Sequence, residues 1–236
     1  QRQMCIRDSG MPMGVELPDN PLGWSMWNTG GFVEGAVLDF HPGDGDEEVV
    51  FEAPPIPNAT WGFATQMMKN FIYSDPDWTY EGYDFSDFAH HAARVGPTLN
   101  ADNPDLAEFR ANGGKLIIDN SWMDGSMSAY GTIDYYEKVL ELDPTARDDV
   151  RLFIRPGVTH CRFGPGPDGT NYIQALEDWL DSGVAPDQLD APYVHPLTRE
   201  PTGQGGRIIC AHPAVVTYDG SGDPNDPGSF SCQVPQ

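Results

Sequence analysis

The sequence predicts an α/β fold for residues 103–200, and three observations support this. Two apolar runs have the length of buried strands, KLIID at 115–119 and VRLFIRPG at 150–157. An amphipathic segment of helical length follows each run, at 131–142 and 171–183. Connections of this length let consecutive strands run parallel, with the helices packed against the sheet.

Two further helices are predicted before this unit. Residues 61–74 place apolar side chains at helical spacing, and the Asp-Pro-Asp sequence at 75–77 ends that helix. Residues 84–95 form a second helix, which Gly96-Pro97 closes. Both segments are therefore predicted to be short and helical.

Inside the α/β unit, Asn103 is predicted to cap a short helix that runs through Arg110, with Pro104 in its first turn. Gly183 is the predicted C-cap of the last helix, and residues 184–236 show no strong period. The two longer helices are predicted to turn inward Ile133, Tyr136, Val139 and Leu140, and then Ile173, Leu176, Trp179 and Leu180.

The composition excludes some classes of partner. The chain has 236 residues, with 13 basic and 36 acidic side chains, so its net charge is −23. Such a surface repels phosphate backbones and anionic membranes, which argues against nucleic acid as a partner. No run approaches the roughly 20 apolar residues that span a bilayer, so no membrane helix is predicted.

The start of the chain does not fit the rest. Residues 1–9 have no initiator methionine at position 1 and none of the regions of a signal peptide, and they hold two of the 13 basic side chains. We therefore expect residues 1–9 to be a non-native tail. Two strands are also too few for a parallel sheet buried on both faces, which leads us to expect that an amino-terminal half is missing.

Two polar side chains follow the two predicted strands. Asp124 lies in the loop after KLIIDNSW, and His160 lies in the loop after VRLFIRPG. Side chains beyond the carboxyl ends of parallel strands gather at one edge of the sheet. An acid followed by a histidine is the second half of the order Ser…Asp…His. The pattern alone leaves open a structural interpretation, in which Asp124 caps a helix and His160 is an ordinary loop residue.

Five separated motifs make the pattern more specific. They are Trp-x-Asp at 122–124, Pro-Gly-x-x-His-Cys at 156–161, Gly-Pro-Gly-Pro at 164–167, Gly-Val-Ala-Pro-Asp at 183–187 and YDGSGDPND at 218–226. Together they resemble the carboxyl-terminal part of the tannase and feruloyl esterase family. The resemblance covers nearly all of residues 20–236, and it implies the carboxyl-terminal part of an α/β-hydrolase fold with the remnant of a lid domain.

The resemblance also implies a division of the chain. Residues 10–102 would be the lid remnant and the return to the core, and residues 103–200 the last two strand–helix units of the core. Residues 201–236 would be a disulfide-closed tail. The implied disulfide joins Cys210 to Cys232, which predicts an oxidising compartment and hence a secreted protein, extracellular or periplasmic.

The resemblance implies a serine carboxylesterase in which His160 is the catalytic base and Asp124 the acid that orients it. The small-molecule partner would be an aromatic ester, with a galloyl, feruloyl or related aryl acyl group. Trp27 is a candidate for stacking on that group, although packing within the lid is an equal alternative.

The chain departs from the family pattern at two places. Asn120-Ser121 stands where the family has His-Gly, and no Gly-x-Ser-x-Gly occurs in the 236 residues. The nucleophile is therefore expected to be absent from this chain, and Ser126, Ser128 and Ser221 are interpreted as structural. Cys161, whose family partner precedes the nucleophile, is expected to be an orphan half-cystine.

No cofactor or metal is predicted. The lid of the family often binds calcium, but its ligand motif is absent here, and the acids at 44–48 lack the alternation of a calcium loop. Zinc at His160 and Cys161 is disfavoured because adjacent ligands lack a Cys-x-x-Cys partner. His90-His91 is interpreted as structural. The alternative functions are a catalytically inactive extracellular binding fragment and an acidic interaction protein.

Overall fold

The computed structural model describes residues 36–40, 49–53, 59–160, 162, 164–195 and 198–235, with side chains from residue 62 onward. Several sequence predictions fall outside the described residues. They concern Trp27, Cys161, the tail at residues 1–9 and the acidic run at 44–48.

The described residues form five α-helices and eight strands. They are β1 (Ala36–Phe40), β2 (Val49–Ala53), α1 (Ala59–Met67), α2 (Phe88–Leu99), α3 (Ala107–Ala111), β3 (Leu116–Ser121), α4 (Ala129–Leu142), β4 (Val150–Arg155), α5 (Tyr172–Ser182), β5 (Gln188–Val194), β6 (Pro201–Cys210), β7 (Val215–Tyr218) and β8 (Phe230–Gln233). Short helical turns lie at Met68–Tyr73, Phe85–Asp87, Pro144–Asp148 and Pro227–Ser229.

The two helices predicted before the α/β unit are confirmed, but the second ends later than predicted. α1 continues into a π-helical turn at Met68–Tyr73, and α2 runs through Gly96-Pro97 to Leu99. The proline lies in the last turn of α2, where its missing N–H removes only one hydrogen bond of the helix. It therefore does not close the helix.

The two predicted strands pair in parallel, as expected. The register of β3 and β4 runs from Leu116 opposite Val150 to Ser121 opposite Arg155. Helix α4 covers one face of the pair, where its Tyr136 lies in one buried cluster with Val139, Ala146, Val150 and Leu152. This cluster fixes the direction of both strands, and so fixes where the loops after them begin.

Helix α3 begins at Ala107, so the predicted start at Asn103 is wrong. The side chains of Asn103 and Asp105 accept hydrogen bonds from the backbone N–H groups of Asp105 and Ala107, respectively. These local turns occupy the backbone that the helix would otherwise use.

Helix α5 turns a different face inward from the predicted one. Trp179 is buried, but Ile173 is 73% exposed and Leu180 57% exposed. The buried stripe also includes the half-buried Tyr172 and Leu176. The helix ends at Gly183, where φ is 71°, and this predicted C-cap is confirmed.

Four strands lie in the segment 184–236, for which no element was predicted. β5 pairs with β6 and β7 pairs with β8, both antiparallel. The Cys210–Cys232 disulfide, predicted from the resemblance, is confirmed and joins β6 to β8. A single antiparallel bridge between Phe153 and Ala211 places this region beside β4, on the edge away from β3.

The opposite edge of the parallel pair is formed by β3. Among the described residues, β3 has no strand partner other than β4. A search of the same residues finds no helix with the length and apolar character needed to cross a membrane.

Candidate active site

Asp124 and His160 lie in contact beyond the carboxyl ends of β3 and β4. His160 Nδ1 is 2.9 Å from Asp124 Oδ2 and 3.1 Å from Oδ1. The Asp124 side chain is 6% exposed and that of His160 is 31% exposed. A carboxylate only accepts, so the neutral ring that makes this contact carries its proton on Nδ1, and the Nδ1–H group donates a hydrogen bond to Asp124. The second ring nitrogen, Nε2, then has the lone pair that can accept a proton.

Backbone N–H groups of the loop that carries Asp124 bind the carboxylate of this residue. Asp124 Oδ1 accepts hydrogen bonds from the N–H groups of Ser126 and Met127, both at 2.8 Å. Asp124 therefore shapes the turn before α4 in addition to contacting His160, but it does not cap that helix, whose N-cap residue is Ser128. These two bonds fix the carboxylate in the orientation that His160 meets.

Backbone hydrogen bonds also join this loop to the other one. Trp122 N–H donates to Arg155 O at 3.0 Å, and Met123 N–H donates to Val158 O at 3.2 Å. These hydrogen bonds hold the two loops side by side, and so bring Asp124 and His160 into contact.

The residues Asn120-Ser121, where the chain departs from the family pattern, are buried at the end of β3. Asn120 Nδ2 donates to Thr132 Oγ1 at 2.7 Å and so links the strand to α4. Ser121 is 1% exposed. The departure from His-Gly therefore coexists with an intact contact between Asp124 and His160.

Two segments of the loop that carries His160 lie in close contact at Gly157 and Gly166, a contact called the glycine neck. Gly166 N–H donates to Gly157 O at 2.7 Å, and Gly157 has a φ of 70°. A Cβ added to Gly166 would lie 2.1 Å from Pro156 O, and one added to Gly164 would lie 2.4 Å from Gly157 O. Only glycine fits at these positions, which gives a physical reason for the glycines in the motif at 164–167.

A cavity of about 590 Å³ lies beside residues 118–121 of β3, and Asp124 and His160 line part of it. Arg155, Thr170 and Tyr172 also line this cavity, and Arg155 Nε, Thr170 Oγ1 and Tyr172 Oη are fully buried from solvent. Burial raises the pKa of the Tyr172 phenol, so this group is a neutral hydroxyl at neutral pH.

An ion-pair group that lines this cavity was not predicted from the sequence. Asp168 lies between two guanidinium groups, those of Arg155 and Arg199, and Arg155 also contacts Asp119. The available signal was Arg155 itself, a charged residue at the end of the apolar strand VRLFIR. Its partners are 13 and 36 positions away in the sequence, where no local pattern indicates them.

The other candidate residues have local contacts. His91 is buried, and its Nδ1 lies 3.1 Å from Tyr83 Oη. Ser126 belongs to the Asp124 turn, Ser128 precedes α4, and Ser221 lies in the connection after β7. In the part of the chain that the structure describes, no three His, Cys, Asp or Glu side chains are grouped to hold a metal ion.

Two of the curated relatives are named as ester hydrolases. Mono(2-hydroxyethyl) terephthalate hydrolase of Piscinibacter sakaiensis is 34% identical over 241 residues, covering 97% of this chain and 37% of that protein. Probable feruloyl esterase B-2 of Aspergillus terreus is 26% identical over 205 residues, covering 78% of this chain and 38% of that protein. The chain therefore spans a little over a third of the length of these curated relatives.

Solved structures show the same fold. Feruloyl esterase B from Aspergillus oryzae superposes with a TM-score of 0.64 at 22% identity, over 75% of this chain and 38% of that one. Tannin acyl hydrolase from Aspergillus niger gives a TM-score of 0.56 at 20% identity, over 83% and 36%. These likenesses are consistent with an architecture of the α/β-hydrolase type.

A model of the family described as tannase and feruloyl esterase matches residues 62–233, which is well over half of the chain. The match includes β3, β4, both loops beyond them and the disulfide-linked strands. This chain belongs to the tannase and feruloyl esterase family.

Proposed function

We propose that this chain supplies the acid and the base of a secreted serine carboxylesterase that hydrolyses aromatic esters. The observation that carries the proposal is the 2.9 Å contact between His160 Nδ1 and Asp124 Oδ2 at the ends of adjacent parallel strands. An acid and a histidine in this contact are two of the three groups of a Ser-His-Asp triad.

The chemistry assigned to each group follows from the contact. His160 Nε2 takes the proton of a serine hydroxyl as that oxygen attacks the ester carbonyl, and then gives it to the departing alcohol. Asp124 keeps the imidazole in the Nδ1–H tautomer and stabilises the imidazolium that forms. Water then hydrolyses the acyl-enzyme by the same proton transfers, and no organic cofactor is needed.

The substrate class and the compartment have separate support. The relatives described above are named for terephthalate and feruloyl esters, both of which carry an aromatic acyl group. The Cys210–Cys232 disulfide favours an oxidising compartment. Together these features favour a secreted aryl-ester hydrolase.

The proposal includes a nucleophile from polypeptide outside these 236 residues. No Gly-x-Ser-x-Gly occurs in the sequence, and the curated relatives are more than twice as long as this chain. Among the described residues, β3 pairs only with β4, and the cavity beside β3 and His160 offers a place where a further strand could bring a serine.

The test compares the 236-residue protein with the product of the complete gene. We expect the 236-residue protein to give no turnover of methyl gallate, methyl ferulate or mono(2-hydroxyethyl) terephthalate. The complete product should hydrolyse at least one of them, with His160→Ala lowering kcat by about 10⁶-fold and Asp124→Asn by about 10⁴-fold. Turnover by the 236-residue protein that depends on His160 would refute the external nucleophile, and His160-independent turnover by the complete product would refute the assigned base.

The absence of an elbow serine favours one alternative, an inactive extracellular binding protein. In that case the complete product would bind an aromatic ester without hydrolysing it. Isothermal titration with methyl ferulate, together with the turnover assay, separates the two functions.

A further inference from the structure

We propose that Asp168 is a positioning residue that holds the His160 loop in register with Asp124. This inference rests on the proposed function, since it concerns the placement of the assigned base. Asp168 is 9% exposed and ends the segment that the glycine neck closes. None of its hydrogen bonds within the described residues goes to His160 or to Asp124, so any effect on the base acts through the loop.

Asp168 joins the two ends of the loop through its carboxylate. Arg155, the last residue of β4, donates from Nη1 to Asp168 Oδ1. His160 follows Arg155 by five positions, and Asp168 follows it by 13. The ion pair therefore closes the base of the loop outside the neck formed by Gly157 and Gly166.

A second guanidinium fastens the same carboxylate to another part of the fold. Arg199, in the connection between β5 and β6, donates from Nη1 to Asp168 Oδ2 at 2.5 Å and from Nη2 to the backbone oxygen of Asp168. Asp168 is thus held by the parallel sheet on one side and by the antiparallel strands on the other.

The charge of Asp168 matters more than its shape. Arg155 is 7% exposed, and its other carboxylate partner is Asp119, which lies on β3 at 2.9 Å. An asparagine at position 168 keeps one acceptor oxygen but leaves Asp119 as the one carboxylate on Arg155 within the described residues, and a buried guanidinium that loses a charged partner is destabilised. Since Trp122 bonds to Arg155 O and Met123 to Val158 O, a shift of Arg155 would move both loops.

The experiment reads the tautomer of His160 in the 236-residue protein. Long-range ¹H–¹⁵N NMR shows which ring nitrogen carries the proton of the neutral imidazole, and His160→Ala identifies the signal. The wild-type ring should be predominantly Nδ1–H because it donates to Asp124. Asp168→Asn should reduce that form to less than half, and Asp168→Glu, which keeps the charge, should restore most of it.

The matched control is Asp149→Asn. Asp149 is also held by two cations, Arg110 and Lys115, but at the opposite end of β4. Its replacement should destabilise the protein without changing the His160 tautomer. If Asp168→Asn fails to fold, Arg199→Gln serves instead, since this side chain is 40% exposed, and it should shift the tautomer in the same direction.

The outcomes separate the two proposals. A wild-type ring without the Nδ1 proton would overturn the assigned acid–base pair, and the positioning role with it. The positioning role alone would be overturned if the wild-type ring carries that proton and the tautomer is the same in folded Asp168→Asn. Where Asp168→Asn does not fold, an unchanged tautomer in Arg199→Gln would have the same meaning. An equal tautomer change in Asp149→Asn would also overturn it, because the effect would then be one of general stability.

Discussion

In the helical segment at residues 62–100, only three side chains are buried, those of Thr65, Ile72 and His91, whereas the α/β unit at 103–183 encloses a continuous core. The rings of the helical segment lie at the surface and contact one another, as Tyr73 and Trp78 do with centroids 5.3 Å apart. Burial is the main source of stability. The candidate site therefore lies in the more stable α/β unit, while local unfolding of the helical segment requires less free energy.

The largest test of this difference is a pair of core truncations. Leu152→Ala removes a fully buried side chain of β4 and should lower the free energy of unfolding of the α/β unit by roughly 2–5 kcal/mol. Ile72→Ala should instead speed amide exchange within residues 62–100 and leave the α/β unit unchanged. Urea unfolding and hydrogen exchange check both variants, and equal effects of the two on the α/β unit would contradict the comparison.

The disulfide should contribute the next largest effect. Cys210 and Cys232 are 22 positions apart, and closing a loop of this length restricts the unfolded chain by about 3 kcal/mol. The double variant Cys210→Ala/Cys232→Ala should lose that amount in urea unfolding. Wild-type protein under reducing conditions should fall to the same stability. A midpoint that does not respond to reductant would contradict the prediction.

The glycine neck offers a test inside the site. Gly166→Ala places a methyl group against Pro156 O and should cost about 1–3 kcal/mol, as overpacking usually does, while displacing the His160 loop. The control is Gly131→Ala in α4, where a Cβ meets nothing within 4 Å. This variant should stabilise the protein by up to about 1 kcal/mol. Thermal unfolding of both variants checks the prediction, and destabilisation of equal size would refute it.

Much of the α/β unit could be predicted because its sequence periods are strong. β3, β4, α4 and α5 were all found within two residues at each end. The inward face of α5 was wrong at Ile173 and Leu180 because apolar side chains lie on both sides of that helix. The four strands after residue 184 were missed because glycine and proline interrupt their alternation, as in the segment PTGQGGRIIC of β6.

The candidate site was predicted only in part. The order of Asp124 and His160 along the chain, with the family motifs around them, predicted their contact. The group of Arg155, Asp168 and Arg199 was not predictable, because ion pairs between distant loops depend on the three-dimensional path of the chain. The glycine neck was not predictable either, because a glycine motif does not indicate which backbone segment the glycine will contact.

Asp149 tests the electrostatics of the α/β unit. Hydrogen bonding from Lys115, and then from Arg110, lowers the pKa of its carboxyl group against the opposing effect of burial. A lowered pKa stabilises the fold above the unfolded value of about 3.9, and this stability is lost as the pH falls through the folded value. Asp149→Asn should lower the free energy of unfolding by about 1.5 kcal/mol at pH 6. This difference in stability from the wild type should vanish as the pH is lowered. Urea unfolding between pH 2 and 7 measures it, and a difference that persists at pH 2 would rule out this origin.

The smallest expected effect lies in the helical segment. Tyr83→Phe removes the hydroxyl that lies 3.1 Å from His91 Nδ1, which leaves a buried ring nitrogen without this bond. Amide exchange should become severalfold faster within residues 62–100 and stay unchanged in the α/β unit, because the two regions share few contacts. Tyr130→Phe on α4, whose side chain is exposed, is the matched control and should change neither region. Faster exchange in β3 or β4 after Tyr83→Phe would show that the helical segment and the α/β unit open together.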